Sequence, residues 1–485
     1  MKQLSALDAQ FLGIENDRNY GHTGALAILD PSTAGDEGIT LDRLKGIIQE
    51  RLHLVPPFTQ RLARVPLDLD WPWWVPDEHF DLGYHCREIA LPPPGDMTQL
   101  AEQTARIYSR RLDRARPLWE VYLIHGLEGG RVAMVTKVHH AAVDGMSGAE
   151  ILAILYDLTP EPRPTQPPSG NGEDGTARGR DLLLRQVGSL PRAPVRIAKR
   201  AGRLLPHVDV VPSVLGMRGA ASISKGVATV RNLAPGGGSS KVIVRTAIRP
   251  PHGAYDGRLT PHRIFGLGSL PLAEVKAVKN RLDVKVNDVI VAVAAGAFRE
   301  HLLRHDSLPD DPLVAQIPVN VRTDEERGEF GNEISMMFVP IPTDVDDPVE
   351  RVDQAAVYTR AAKERHGALP AKAMRDAANI IPAALHARAA RAMTELSPRV
   401  GVRPPFNVII SNVPGPPMDL YSAGARLESI YPLSIVIDHA VLNLTLLSYR
   451  DSIDFAITAD RELTPDVQSI ADQMPVELSE LAAAE

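Results

Sequence analysis

Apolar positions recur with two different periods along this chain. Residues 132–138 (Val-Ala-Met-Val-Thr-Lys-Val) are mostly apolar and β-branched, which predicts a strand buried on both faces. Residues 149–155 read as a helix soon after it, and 100–112 as an amphipathic helix. Further on, 272–282 reads as a helix started by Pro271. An Ala/Val-rich helix is expected at 288–303, with Asn287 placed to cap its first turn. Strands are predicted at 241–248, 313–318, 335–341, 407–411, 441–448 and 453–458. Strands and helices that alternate in this way predict an α/β or α+β fold, without fixing its topology.

Two breaks divide the pattern. A Pro/Gly/Ser-rich stretch at 160–172 and a second at 235–240 cannot hold a packed core. They predict a first lobe at 1–159, a partly helical connector at 160–240 and a second lobe at 241–485. With 485 residues, 44% of them hydrophobic, the chain is long enough to bury two cores. No internal repeat is visible.

Directly behind the 132–138 strand stands His139-His140-Ala141-Ala142-Val143-Asp144-Gly145. This places two imidazoles, a carboxylate and a permissive turn residue at a strand-to-helix corner. A neutral imidazole there can take a proton from a hydroxyl, amine or thiol, because its pKa lies nearest neutrality. The competing reading is a satisfied core histidine beside a helix-capping Asp. A metal hydrolase fits poorly, since adjacent histidines on extended backbone point apart and no His-Glu-x-x-His pattern is present. A serine hydrolase fails at Ser147, where Ala149 stands in place of the second glycine of the nucleophile elbow. No metal site is expected in the chain.

Together with Pro117-Leu118-Trp119-Glu120, the motif resembles the bacterial wax ester synthase/diacylglycerol acyltransferase family. The opening Leu4-Ser5-Ala6-Leu7-Asp8-Ala9-Gln10-Phe11-Leu12 is similar to the family's start, and Gly21-His22-Thr23-Gly24 more loosely to its early strand. Val286-Asn287-Asp288-Val289, Ser411-Asn412-Val413-Pro414-Gly415-Pro416 and Leu442-Asn443-Leu444-Thr445 are similar to its later motifs. The resemblance implies two chloramphenicol-acetyltransferase-like lobes with mixed sheets. It also implies a tunnel that brings acyl-CoA and a lipid hydroxyl to the histidine from opposite sides. On that reading His140 is the general base, His139 packs or orients, and Asp144 and Gly145 hold the loop. Trp119, Asn287, Asn412 and Gly415 would line the substrate path. Acyl-CoA is then a co-substrate rather than a cofactor, and the acceptor is diacylglycerol or a long-chain alcohol. Peptide-synthetase condensation domains share the His-His-x-x-x-Asp-Gly pattern, and a lipid-surface binding protein with negligible turnover is a rival from another class.

Charge and cysteine content narrow the partners. Residues 182–255 hold twelve Lys/Arg and one acid, Asp209, against a whole-chain net charge of −7. Arg196, Lys199, Arg200 and Arg203 alternate there with apolar residues, as in a basic helix on an anionic lipid surface. Coenzyme phosphates are the other candidate for this charge, and a solvated linker is the bland reading. The acidic remainder and the lack of a base-reading motif speak against nucleic acid. The single cysteine, Cys86, excludes an intramolecular disulfide. No run approaches the roughly 20 apolar residues of a membrane span, and the start lacks a signal peptide's apolar centre. The expectation is a cytoplasmic protein, with a membrane or lipid-droplet surface as a candidate peripheral partner.

Overall fold

The computed structural model describes residues 2–65, 71–142, 152, 154–165, 250–253, 255–320, 334–367 and 403–484. The first part runs β1 (Lys2–Gln3), α1 (Ala6–Ile14), β2 (His22–Asp30), α2 (Leu41–Arg51), β3 (Gln60–Ala63) and β4 (Trp73–Pro76). It continues through α3 (Leu82–His85), β5 (Cys86–Ala90), α4 (Met97–Tyr108), β6 (Trp119–His125) and β7 (Val132–His139). Beyond residue 250 come β8 (Arg263–Pro271), α5 (Leu272–Arg281), α6 (Val286–Arg304), β9 (Leu313–Asn320), β10 (Ile334–Ile341) and α7 (Pro348–Gly367). The chain ends with β11 (Val408–Val413), β12 (Tyr421–Ser422), β13 (Ala425–Leu433), β14 (Leu442–Tyr449), β15 (Ser452–Asp460) and α8 (Val467–Ala483).

Two six-stranded sheets organise these elements, one in the order β12-β13-β2-β7-β6-β5 and the other β10-β9-β11-β14-β15-β8. Both are mixed: β5 runs parallel to β6, and β11 parallel to β9 and β14, while the remaining pairs are antiparallel. Strand β7 lies between β2 and β6 and is buried at every position, as its unbroken apolar run requires. Helix α4 starts earlier than residue 100, because Asp96 caps it. The Asp96 carboxylate accepts from the Gln99 N–H at 2.8 Å, while the Gln99 side chain accepts from the Asp96 N–H at 3.2 Å.

The chain's two halves do not separate where the sequence suggested. Strands β12 and β13 belong to the expected 241–485 lobe yet complete the first sheet, with β13 pairing antiparallel to β2. Pro432 and a register shift between Leu427 and Ser429 break the alternation that would have marked β13 as a strand. The expected strand at 241–248 and most of the 160–240 connector lie outside the described residues, as does much of the helix at 149–155.

Helix α6 forms the centre of the second core, buried from Val289 to Phe298 among α5, α7, α8 and the sheet. A shared cluster joins the two sheets, in which Leu26, Tyr108, Val135 and Leu433 pack with Phe265 and Ala456. Polar contacts bridge the same seam: the Ile430 N–H donates to the Asp454 carboxylate at 2.9 Å, and the Ser434 N–H to Thr458 Oγ1 at 3.3 Å. The loop that follows α1 reaches the second lobe, where Tyr20 donates to the Pro261 carbonyl at 3.0 Å and Asn19 to Asp438 at 3.3 Å. Among the described residues, no helix is long and apolar enough to cross a membrane.

Candidate active site

Strand β7 ends on His139, and a 3-10 turn at His140–Ala142 follows at once. The backbone of this corner is tied to two neighbours. His139 N–H donates to the Leu118 carbonyl at 2.9 Å, and His140 N–H to the Gly21 carbonyl at 2.7 Å. Two successive hydrogen bonds to different segments turn the chain sharply, and the two imidazoles part company.

The His139 ring points into the protein. Its Nδ1 accepts the Ala141 N–H at 3.1 Å, so the neutral ring carries its proton on Nε2, which lies 3.7 Å from Glu15 Oε1. Arg114 clamps that carboxylate through Nε at 2.9 Å and a terminal nitrogen at 2.5 Å, and also donates to the Leu12 carbonyl at 2.8 Å. Gly21 is required beside it, because an added Cβ would sit 2.5 Å from His139 Nε2. Burial, with help from the Arg114 and His140 charges, pushes His139 down to about 3. At 1% exposure, with Nδ1 engaged by the Ala141 N–H and Nε2 facing Glu15, the ring offers no surface to a substrate.

This depression has a measurable sign. Between about 3 and the ordinary 6.5, the unfolded chain binds a proton at His139 that the native protein refuses. The stability tied to this residue is therefore complete above pH 6.5 and is lost as pH falls toward 3, at about 1.4 kcal/mol per pH unit. Urea unfolding of the wild type should weaken more between about pH 6.5 and pH 4.5 than that of His139→Gln. Equal losses in the two proteins would mean that His139 is not buried in the neutral form.

The His140 ring takes another course, stacking on Phe11 with centroids 3.9 Å apart and planes 17° from parallel. Its Nδ1 is buried while the residue as a whole is only half-buried. Helix α1 supplies Phe11 and is itself started by Ser5, whose hydroxyl accepts the Asp8 N–H at 3.2 Å. Asp144 and Gly145 lie outside the described residues.

The other residues singled out in the sequence have the following surroundings. Trp119 is only 1% exposed, stacks between Phe58 and His85, and donates from Nε1 to the Phe58 carbonyl at 2.9 Å. It is a packing residue with no face left for substrate. Glu120 accepts from Tyr122 at 3.0 Å and faces Arg87 and Lys137 at 3.5 and 3.7 Å. Burial pulls Lys137 down to about 8, partly offset by Glu120. Gly415 packs: an added Cβ would lie 2.1 Å from the Ser448 carbonyl oxygen of β14. Cys86 is buried, and burial pushes its thiol up to about 12, so it is no nucleophile at neutral pH.

Asn287 is not the cap of α6. Lys285 holds that position, and its N–H is accepted by the Asp288 carboxylate at 3.0 Å. The Asn287 side chain is turned outward instead, where its Oδ1 accepts from Asn412 Nδ2 at 2.7 Å. Two motif residues 125 positions apart thus meet where the first turn of α6 abuts the carboxyl end of β11, the end at which parallel strands commonly present ligand-binding groups. Of the residues that hold the two imidazoles, Phe11 and Gly21 stand in stretches that carried the resemblance, whereas Glu15 and Arg114, 99 residues apart, had no local signal.

Comparison with known proteins shows the family of the chain as a whole. The wax ester synthase/diacylglycerol acyltransferase catalytic domain matches residues 4–290, and the WS/DGAT C-terminal domain matches 330–482. The chain belongs to this family of acyltransferases, and its two mixed sheets are chloramphenicol-acetyltransferase-like lobes. A Mycobacterium tuberculosis protein named as a diacylglycerol O-acyltransferase is 35% identical, with 99% of each chain covered. The wax ester synthase/diacylglycerol acyltransferase from Marinobacter aquaeolei superposes with a TM-score of 0.66 at 29% identity, covering 99% of this chain and 98% of that one. The starter condensation domain of rhizomide synthetase, solved as a mutant in complex with C8-CoA, reaches a TM-score of 0.53 at 13% identity over 99% of this chain and 94% of its own. That last likeness is one of fold alone.

Proposed function

We propose that this protein transfers a fatty acyl group from acyl-CoA to the hydroxyl of diacylglycerol, with His140 as general base. The observation that carries the assignment is the divergence of the two rings. His139 is turned inward and fully buried, whereas His140 is half-buried and stacked on Phe11, so of the two imidazoles it is the one with surface to offer a substrate. Nε2 takes the hydroxyl proton as the oxygen attacks the thioester carbonyl, and the C–S bond then breaks as the same proton passes to the CoA sulfur. Phe11 fixes the plane of the ring, and the Glu15–Arg114 pair fixes the corner from beneath. Asp144 and Gly145 are assigned to holding the loop, and the Asn287–Asn412 pair to the substrate path. Acyl-CoA enters as co-substrate.

The names carried by the mycobacterial relatives favour diacylglycerol. The Marinobacter structure's name favours a second reading, in which a long-chain alcohol is the acceptor and a wax ester the product. Either acceptor offers the same hydroxyl to the same base, so selectivity is a difference in transition-state binding. Both acceptors supplied together with one labelled acyl-CoA should give mostly triacylglycerol. Predominant wax ester would replace the first reading by the second.

The basic segment at 182–255 is assigned to an anionic lipid surface, which places the enzyme peripherally on a membrane or lipid droplet in the cytoplasm. Reversing Arg196, Lys199, Arg200 and Arg203 to Glu should release the protein from anionic vesicles. Turnover of a short soluble acceptor should stay close to wild type, because surface attraction is screened over about 8 to 10 Å and proton abstraction is not. A raised KM for acyl-CoA with vesicle binding intact would assign the segment to coenzyme phosphates.

A further inference from the structure

The last turn of α6 carries His301, and His305 caps the helix immediately after it, four residues on and therefore on the same face. Both imidazoles face a single carboxylate, that of Asp466 just before α8. His301 Nε2 lies 3.1 Å from Oδ1, and His305 Nε2 lies 2.8 Å from Oδ2. All three candidate ligand atoms fall within 4.8 Å of one another. In a tetrahedral site with bonds of 2.0–2.2 Å, neighbouring ligand atoms stand about 3.4 Å apart. Only small side-chain adjustments separate the observed triad from that arrangement.

The surroundings suit a cation of this kind. Tyr255 Oη shares a hydrogen bond with His301 Nδ1 at 3.1 Å, the outer contact that orients a ligating imidazole and fixes which nitrogen faces the metal. Its ring also stacks on His301. The site opens outward: the His305 and Asp466 side chains are 51% and 40% exposed, leaving room for water as a further ligand. Arg304, the nearby cation, is engaged by Glu300 at 3.1 Å and Gln473 at 3.3 Å.

We propose that His301, His305 and Asp466 bind a first-row divalent transition metal, zinc by the preference of imidazole and carboxylate donors, and so fasten the end of α6 to the start of α8. The site is separate from the chemistry. Asn287 lies fourteen residues up the same helix, about 21 Å away along its axis. The metal is therefore a structural clip and takes no part in acyl transfer.

The full-length protein, stripped with a chelator, would be titrated with Zn2+ in a calorimeter and with Co2+ by visible absorption. One equivalent of Zn2+ should bind and raise the melting temperature, and Co2+ should show the d–d bands of a low-coordinate site. His305→Gln and Asp466→Asn, both at exposed positions, should weaken Zn2+ binding by at least about tenfold, and Tyr255→Phe should weaken it by a similar factor. His305→Gln should leave acyl transfer unchanged. Absence of saturable binding by the wild type would overturn the assignment and leave the triad as a hydrogen-bonded clamp. Binding that survives in both His305→Gln and Asp466→Asn would overturn it equally, by placing the metal elsewhere.

Discussion

His140→Ala should fold and melt like the wild type yet lose acyl transfer by at least about a hundredfold, roughly 2.7 kcal/mol of transition-state stabilisation. The side chain is half-buried and stacks on Phe11, so its removal opens less of the core than loss of a fully buried ring would. The rate loss should appear in kcat with KM for acyl-CoA nearly unchanged, because the base acts on the acceptor hydroxyl in the transition state. His139→Gln makes the control. It should retain more activity than His140→Ala while losing stability, since its ring fills a fully buried slot between Gly21, Ala141 and Glu15. If the order of the two activities is reversed, the base has been assigned to the wrong imidazole.

Arg114→Met should be the most damaging change among the supporting residues. It leaves the Glu15 carboxylate, 1% exposed, without its clamp and facing a neutral imidazole. Breaking a buried ion pair from one side costs about 3–5 kcal/mol. The loss should show as a lower melting temperature and a large fall in turnover, because Glu15 also receives the Gly21 N–H at 3.4 Å and Gly21 in turn holds His140. The double variant Glu15→Gln with Arg114→Met should recover much of the stability, since no unpaired charge is then buried. Unchanged stability in Arg114→Met would remove this pair from the account of how the corner is held.

Much of the architecture could be read from residue patterns because burial on both faces leaves an unmistakable run. Strand β7 was expected at 132–138 and ends one residue later, and the predicted strands at 313–318, 335–341, 407–411, 441–448 and 453–458 match β9, β10, β11, β14 and β15 within a few residues. Helices α5 and α6 were equally clear. What failed did so for identifiable reasons. Strand β13 carries a bulge and a proline, and nothing in its sequence says that it crosses to the other sheet. Asn287 and Asp288 are both good capping residues, and which of them serves depends on where the helix begins; here the Asp288 carboxylate folds back onto Lys285. Trp119 stands in a motif strand, and pattern alone could not distinguish a wall of the substrate path from a ring enclosed by Phe58 and His85.

The site shows the same division. The His139–His140 corner was visible because strand, histidines and turn are contiguous. The ion pair beneath the corner was hidden, because Glu15 and Arg114 come from distant segments and meet only in the fold, and the motif stretch that holds Gly21 did not say that it abuts His139. Likewise, the four-residue spacing of His301 and His305 is plain in the sequence, whereas their shared partner Asp466 is 161 residues away from His305.

The central claim is that this chain moves an acyl group from acyl-CoA to a lipid hydroxyl through His140. Purified protein would be incubated with labelled acyl-CoA and diacylglycerol, and free thiol and labelled triacylglycerol would be counted in the same reaction, for the wild type and for His140→Ala. The account predicts thiol and triacylglycerol in equal amounts from the wild type, and both reduced together by at least about a hundredfold in the variant. Thiol release without ester, or triacylglycerol formation that survives in His140→Ala, would contradict it.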